Sequence, residues 1–206
     1  MATLGFSMAD FEVFKIEGFS ERMGEIYARV RPRLLKLGDE LAPELARKLH
    51  LEFFPHVAKH ARRTINPPPE TWCAFGPNER GYKRYAYLAL CISSGGIHAR
   101  VVVKSEADNR PQMAKALERK TSDLMKAFNG TALARYDKWD CAGVPKPSAV
   151  DPALFRELSS ALEKKSGGID VGVGWRLGDS LRLDRAEVLD AFNELVPLYR
   201  VCRAQA

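Results

Sequence analysis

Between His56 and Arg84 the chain reads HVAKHARRTINPPPETWCAFGPNERGYKR, a segment rich in side chains that can hold or transform an anion. Lys59, Arg62, Arg63, Arg80, Lys83 and Arg84 face only Glu70 and Glu79, a net charge of +4. Residues 85–149 carry another +4, while residues 1–55 and 150–206 carry −1 each, so the formal +6 of the protein belongs to its middle. A concentrated positive field attracts phosphate and carboxylate groups and raises their encounter rate. Arg62 and Arg63 supply forked donors, and Thr64 and Asn66 neutral ones, a mixture suited to phosphate oxygens. Trp72, Phe75 and Tyr82 alternate with the cations, as stacking residues do where single-stranded nucleic acid binds. The competing readings are a solvated basic face, arginines paired to acids elsewhere in the fold, and aromatic side chains that belong to the core.

His56 and His60 are four residues apart, so on a helix they share a face, which is the spacing of paired metal ligands. HVAKH lacks the glutamate of HExxH and has no clear third ligand beside it, so neither a metal nor another cofactor is expected. In the structural reading one histidine packs and the other bonds a carbonyl or an acid. In the functional reading they bind an anion or move a proton, since imidazole titrates near neutrality. There is no GxSxG elbow, no GxxxxGK[ST] loop and no GxGxxG fingerprint; Gly172-Val-Gly174 is a fragment inside a strand pattern. Cys73 lies close enough in sequence to the histidines for a Cys/His nucleophile, although a cysteine in an apolar strand is ordinarily inert. No catalytic residue is assigned.

These side chains must be placed by the elements around them. A chain of 206 residues with 46% hydrophobic and 28% charged residues is expected to form one globular domain, residues 1–206. Cys73, Cys91, Cys141 and Cys202 are too scattered for a disulfide framework or a zinc site. They fit reduced thiols of a cytoplasmic protein. No signal-like N-terminus and no apolar run of membrane-spanning length is present, so no membrane partner is expected.

In chain order, FEVFKI at 11–16 alternates as a short strand. A helix follows from Ser20 to about Lys36 with a kink or break at Pro32, and a second begins near Asp39. His56–Arg63 is expected as a short helix stopped by Asn66-Pro67-Pro68-Pro69, and Thr71–Phe75 as a strand. Two β-rich runs meet at Ser93-Ser94-Gly95-Gly96 as a hairpin, whose second run places His98, Arg100 and Lys104 on one basic face. A helix over 109–128, a strand from Ala132 to Trp139 and a Pro145–Pro147 linker come next. A helix opened by Asp151-Pro152, the strand IDVGVGWRL and a last helix with an Asp184/Glu187 capping box complete the chain. Without regular βαβ alternation, this order argues for α+β with a mainly antiparallel sheet.

HVAKHARRTINPPPETWCAFG followed by RGYK resembles the signature of the YktB-like bacterial proteins of unknown function, as do DFEVFKIEGFSERM and RPRLLKLGDELAPEL before it. The resemblance covers roughly residues 6–90; beyond, only the order of elements is similar. It implies a TATA-binding-protein-like fold, a curved antiparallel sheet with helices on one face and extra N-terminal helices, and it carries no established activity. After Lys83 the chain departs from the family pattern, with Arg84-Tyr85-Ala86 in place of a Pro-His pair.

The leading expectation is a non-catalytic protein that binds a phosphate-bearing ligand, with nucleic acid as the leading example and a nucleotide also fitting. His56, Lys59, His60, Arg62, Arg63, Asn66, Arg80 and Lys83 supply charge and donors, and Trp72 and Tyr82 stack. The alternative is an enzyme acting on a small anionic substrate, with a histidine as acid or base and the arginines as a clamp.

Overall fold

The computed structural model describes residues 3–137, 139 and 143–203; Cys141 lies outside them. The first expectation to fall is the strand at 11–16. Helix α1 (Met8–Glu12) and a 3-10 turn (Val13–Lys15) occupy it instead. Phe11 and Phe14 are three residues apart, so one helical face buries both, and Asp10 accepts hydrogen bonds from the Ser7 backbone N–H and hydroxyl, each 2.7 Å. An apolar run this short fits either period, and the local cap decided it.

Helix α2 (Phe19–Glu25) passes through one wide π turn (Ile26–Val30) into α3 (Arg31–Leu49). The distortion expected at Pro32 is therefore present, immediately ahead of the ring that has no N–H to donate. The break expected before a second helix at Asp39 is absent. Helix α3 continues through Pro43, because Leu34, Leu37, Leu41, Leu45 and Leu49 form one unbroken buried stripe. Burying five leucines outweighs an interior proline that costs about 3 kcal/mol.

Seven strands follow among the described residues. They are β1 (Phe54–Val57), β2 (Glu70–Gly76), β3 (Tyr87–Ser93), β4 (Gly96–Val103), β5 (Ala132–Arg135), β6 (Ser148–Ala149) and β7 (Ile169–Arg176). They make one curved sheet in the order β1-β2-β3-β4-β7-β5-β6, antiparallel at every pairing. The expected helix over His56–Arg63 is thus a strand followed by irregular chain. Val57 pairs with Cys73, and the Ala58 N–H continues the ladder to the Trp72 carbonyl at 3.0 Å. Pro55 is tolerated because β1 is an edge strand. The expected helix over 109–128 is interrupted at Lys120, giving α4 (Arg110–Arg119) and α5 (Thr121–Ala127).

The remaining helices are α6 (Pro152–Glu163), α7 (Leu177–Ser180) and α8 (Arg185–Arg203). Asp151 caps α6 by accepting the Leu154 N–H at 2.9 Å, and Asp184 and Glu187 exchange backbone N–H bonds at the start of α8. Helices α3, α4, α6 and α8 cover one face of the sheet, where Phe75, Leu90, Ile97, Val101 and Val171 join the main core. The α+β architecture with an antiparallel sheet follows the strand and helix patterning of the sequence.

The other face is built differently. Its floor is small at Ala74, Ala89, Cys91, Gly172 and Gly174, and its roof is Tyr82, Tyr136 and Trp139. The roof changes the basic face expected on β4: His98 and Arg100 are 0% and 1% exposed, and only Lys104 reaches solvent. Gly174 is required for the closure, since a Cβ there would lie 2.5 Å from the Tyr136 hydroxyl and 2.9 Å from His98 Nδ1.

Candidate functional site

The edge strand β1 ends in a chain segment that folds back along β2, and this reversal creates a cleft of about 640 Å³. His60 makes the turn with a left-handed φ of 50°, and the Arg63 N–H closes it on the His60 carbonyl at 2.9 Å. The segment is held from outside by the N-terminal helices. Tyr27 donates to the Lys59 carbonyl at 2.9 Å, and Arg31 donates to the carbonyls of Val57 and Ala58 at 3.3 and 3.1 Å. Arg22 performs the same service for the proline run, donating to the Pro68 carbonyl at 3.1 Å.

Of the residues singled out by sequence, His56, Lys59, His60, Arg62 and Arg63 line this cleft from one side. Trp72, Tyr82 and Lys83 line it from the other, and Arg31 joins them from α3. Asn66 and Arg80 are exposed and lie off the lining; Asn66 instead offers its backbone carbonyl to Arg63 at 3.3 Å. Among the described residues Glu106 is the one carboxylate on the lining, and it reaches Arg62 only at 3.8 Å, with Arg62 85% exposed. A pair this open contributes little and leaves the guanidinium available to a ligand.

The two histidines meet in the cleft although they do not share a helix face. The His56 ring stacks on Tyr82 (centroids 4.8 Å, 20° between planes), with its Nε2 2.9 Å from the Asn78 carbonyl oxygen. Gly76 permits the approach, because a Cβ there would meet that of Tyr82 at 2.8 Å. His60 sets its ring against the edge of Trp72, with Nε2 3.0 Å from Thr71 Oγ1. Burial, and after it Arg63, Lys83 and Arg31, lower the His60 pKa to about 4, so the ring is neutral at physiological pH. Burial also lowers the Lys83 pKa. Trp72 donates to the Tyr82 hydroxyl at 3.2 Å, which locks the two aromatic residues together.

Cys73 points away from the cleft, into the core beside Gly38. Burial pushes its thiol up to about 12, which disarms the Cys/His nucleophile the sequence allowed. Among the described residues, no group of three or more His, Cys, Asp or Glu could hold a metal ion.

A second polar constellation escaped the sequence reading. Arg100 on β4 donates to Glu70 on β2 from Nη1 and Nη2 (3.2 and 2.5 Å) and to Asp170 on β7 at 3.4 Å. Its guanidinium lies 3.8 Å from the centre of the Tyr136 ring. His98 bridges the Tyr136 and Ser93 hydroxyls at 3.1 and 3.0 Å, and its pKa is held well below the usual value by burial and then by Arg100. The one available signal was the alternation of His98 and Arg100 on a face opposite Val and Ile; nothing local identified their partners.

Residues 6–199 match the family described as "Domain of unknown function (DUF1054)". A UPF0637 protein of Lysinibacillus sphaericus is 32% identical over 205 residues, covering 98% of this chain and 97% of its own length. One of Bacillus velezensis is 32% identical over 204 residues, covering 97% of each. A third, of Oceanobacillus iheyensis, is 29% identical over 202 residues and 96% of each chain. The similarity therefore extends well past residue 90, where the sequence resemblance had thinned. No helix among the described residues is long and apolar enough to cross a membrane.

Proposed function

This chain belongs to the DUF1054 family, and we propose that it is a non-catalytic binding protein whose basic cleft holds a phosphate-bearing ligand. The observation that carries the reading is the lining itself: Arg31, Lys59, Arg62, Arg63 and Lys83 converge with Glu106 as the one carboxylate among the described residues there. At about 640 Å³ the cleft is within the usual range of small-molecule sites, roughly 300–1,000 Å³. Trp72 and Tyr82 on its lining can stack a base, and the volume suits a nucleotide-sized ligand. Neutral His60 supplies hydrogen bonding without charge. Because its pKa is about 4, it is a poor general acid at neutral pH, which weighs against His60 in that role. The curved sheet with helices on one face agrees with a TATA-binding-protein-like architecture, and buried free thiols at Cys73, Cys91 and Cys202 agree with a cytoplasmic setting.

Titration calorimetry with nucleoside monophosphates and with short single-stranded DNA and RNA, repeated across a salt series, tests this. Affinity should fall steeply as salt rises. Arg62→Ala/Arg63→Ala should weaken binding by about tenfold or more while the protein stays folded. Binding that ignores salt, or equal binding by the double variant, would overturn the proposal.

A further inference from the structure

A second cavity, of about 370 Å³, adjoins the basic cleft. The two share Trp72 and Arg63, so the indole stands as a partition between neighbouring compartments. The chemistry changes across it. Trp72 provides an aromatic wall, Tyr136 is 5% exposed with the Arg100 guanidinium over its ring, and Glu70, Asp137 and Asp170 bring carboxylates. Two of these are already satisfied by cations. Arg100 holds Glu70 from both terminal nitrogens, and Arg135 holds Asp137 through both oxygens at 2.9 and 2.6 Å. With Lys104 and Arg63 also on the lining, the compartment has no large charge excess of either sign to attract a second phosphate or a free cation.

Asp170 differs from the other two. Its contacts to Arg100 Nη1 and Lys104 Nζ are 3.4 and 3.5 Å, at the outer limit of hydrogen bonding. A carboxylate offers about four acceptor sites, so this one retains capacity for a ligand beside Trp72. We infer that the second cavity receives a flat heteroaromatic ring bearing N–H donors, the base of a nucleotide whose phosphate lies in the basic cleft. This inference rests on the phosphate reading of that cleft. Trp72 stacks on the ring, and Asp170 accepts from its donor edge. A guanine edge offers a carboxylate two adjacent donors, a ring N–H and an exocyclic amino group. Uracil offers one N–H between two carbonyl oxygens, which a carboxylate repels. The cavity therefore selects guanine over uracil.

The test is binding of guanosine 5′-monophosphate, uridine 5′-monophosphate, guanosine and inorganic phosphate to the wild-type protein, to Asp170→Asn and to Arg62→Ala/Arg63→Ala. The guanine nucleotide should bind at least about tenfold more tightly than either the uracil nucleotide or phosphate. Asp170→Asn should reduce that affinity roughly 10- to 100-fold and leave phosphate binding unchanged, as the loss of a charge-assisted acceptor requires. Equal affinity for the two nucleotides and phosphate would overturn the base pocket while the phosphate site stands. Guanosine binding that the double arginine variant does not alter, with no added affinity from the phosphate, would uphold the pocket and overturn the phosphate reading. Absence of binding by all four probes would overturn both. The comparison of nucleotides on the wild-type protein decides the matter even if Asp170→Asn fails to fold.

Discussion

His60 shows how much one residue's environment can alter its chemistry. As an isolated imidazole it would titrate near neutrality; between Trp72, Thr71 and three cations its pKa falls to about 4. The consequence for stability has a definite sign. In the unfolded chain His60 binds a proton as pH falls through about 6.5, whereas in the folded protein it resists until about 4. Folding therefore costs more as pH drops across that window, and no part of the penalty is present above it. His60→Asn keeps a polar side chain that tolerates the left-handed backbone and removes the titration. Urea unfolding of wild type and variant between pH 7.5 and 4 should show the wild type losing more stability on acidification. The difference between the two proteins isolates His60 from His98, whose lowered pKa acts in the same direction. Parallel pH profiles would show that His60 is not held neutral by the fold.

At the scale of elements, the cleft depends on how closely α3 lies against β1 and β2. Gly38 sets that approach, since a Cβ at this position would stand 2.9 Å from Cys73 Sγ and 3.0 Å from Pro55 Cβ. Neither neighbour is free to move: Cys73 is fully buried and Pro55 is paired with Phe75 in the sheet. Gly38→Val should destabilise the protein by about 1–3 kcal/mol through overpacking. It should also weaken ligand binding, because the same displacement moves His56 and the segment that Arg31 anchors. Thermal melting and titration of the same sample check both effects. Unchanged stability would mean that α3 and β1 can part without cost. The sequence marked Gly38 only as one glycine among fifteen.

Across the whole molecule, Arg100 joins what the chain keeps far apart. Glu70 and Asp170 lie 30 and 70 residues from it in sequence and on different strands, and Tyr136 belongs to the roof of that sheet face. Removing the 1% exposed Arg100 leaves the largely desolvated Glu70 and Asp170 without their shared cation. Arg100→Leu should therefore cost roughly 3–5 kcal/mol, read as a lowered urea midpoint by circular dichroism. An unaltered midpoint would mean that Glu70 and Asp170 hydrate freely without the guanidinium.

The helices and strands were legible wherever caps and periodicity agreed, as at Asp151-Pro152 and along Ile169–Arg176. The eight singled-out residues that line the cleft between His56 and Lys83 were legible as a group because they are near one another in the chain, so even with His56–Arg63 wrongly taken as a helix they stayed together. By itself the sequence determined composition, charge distribution, most elements and the family, since these depend on local patterning. Tertiary structure alone decided that α3 runs unbroken through Pro43, that His60 is neutral, and that His98 and Arg100 are buried. It also decided that Asp170 lines a compartment next to the basic cleft. Each of these depends on desolvation or pairing between segments tens of residues apart, and no local pattern encodes which distant carboxylate a buried arginine will meet.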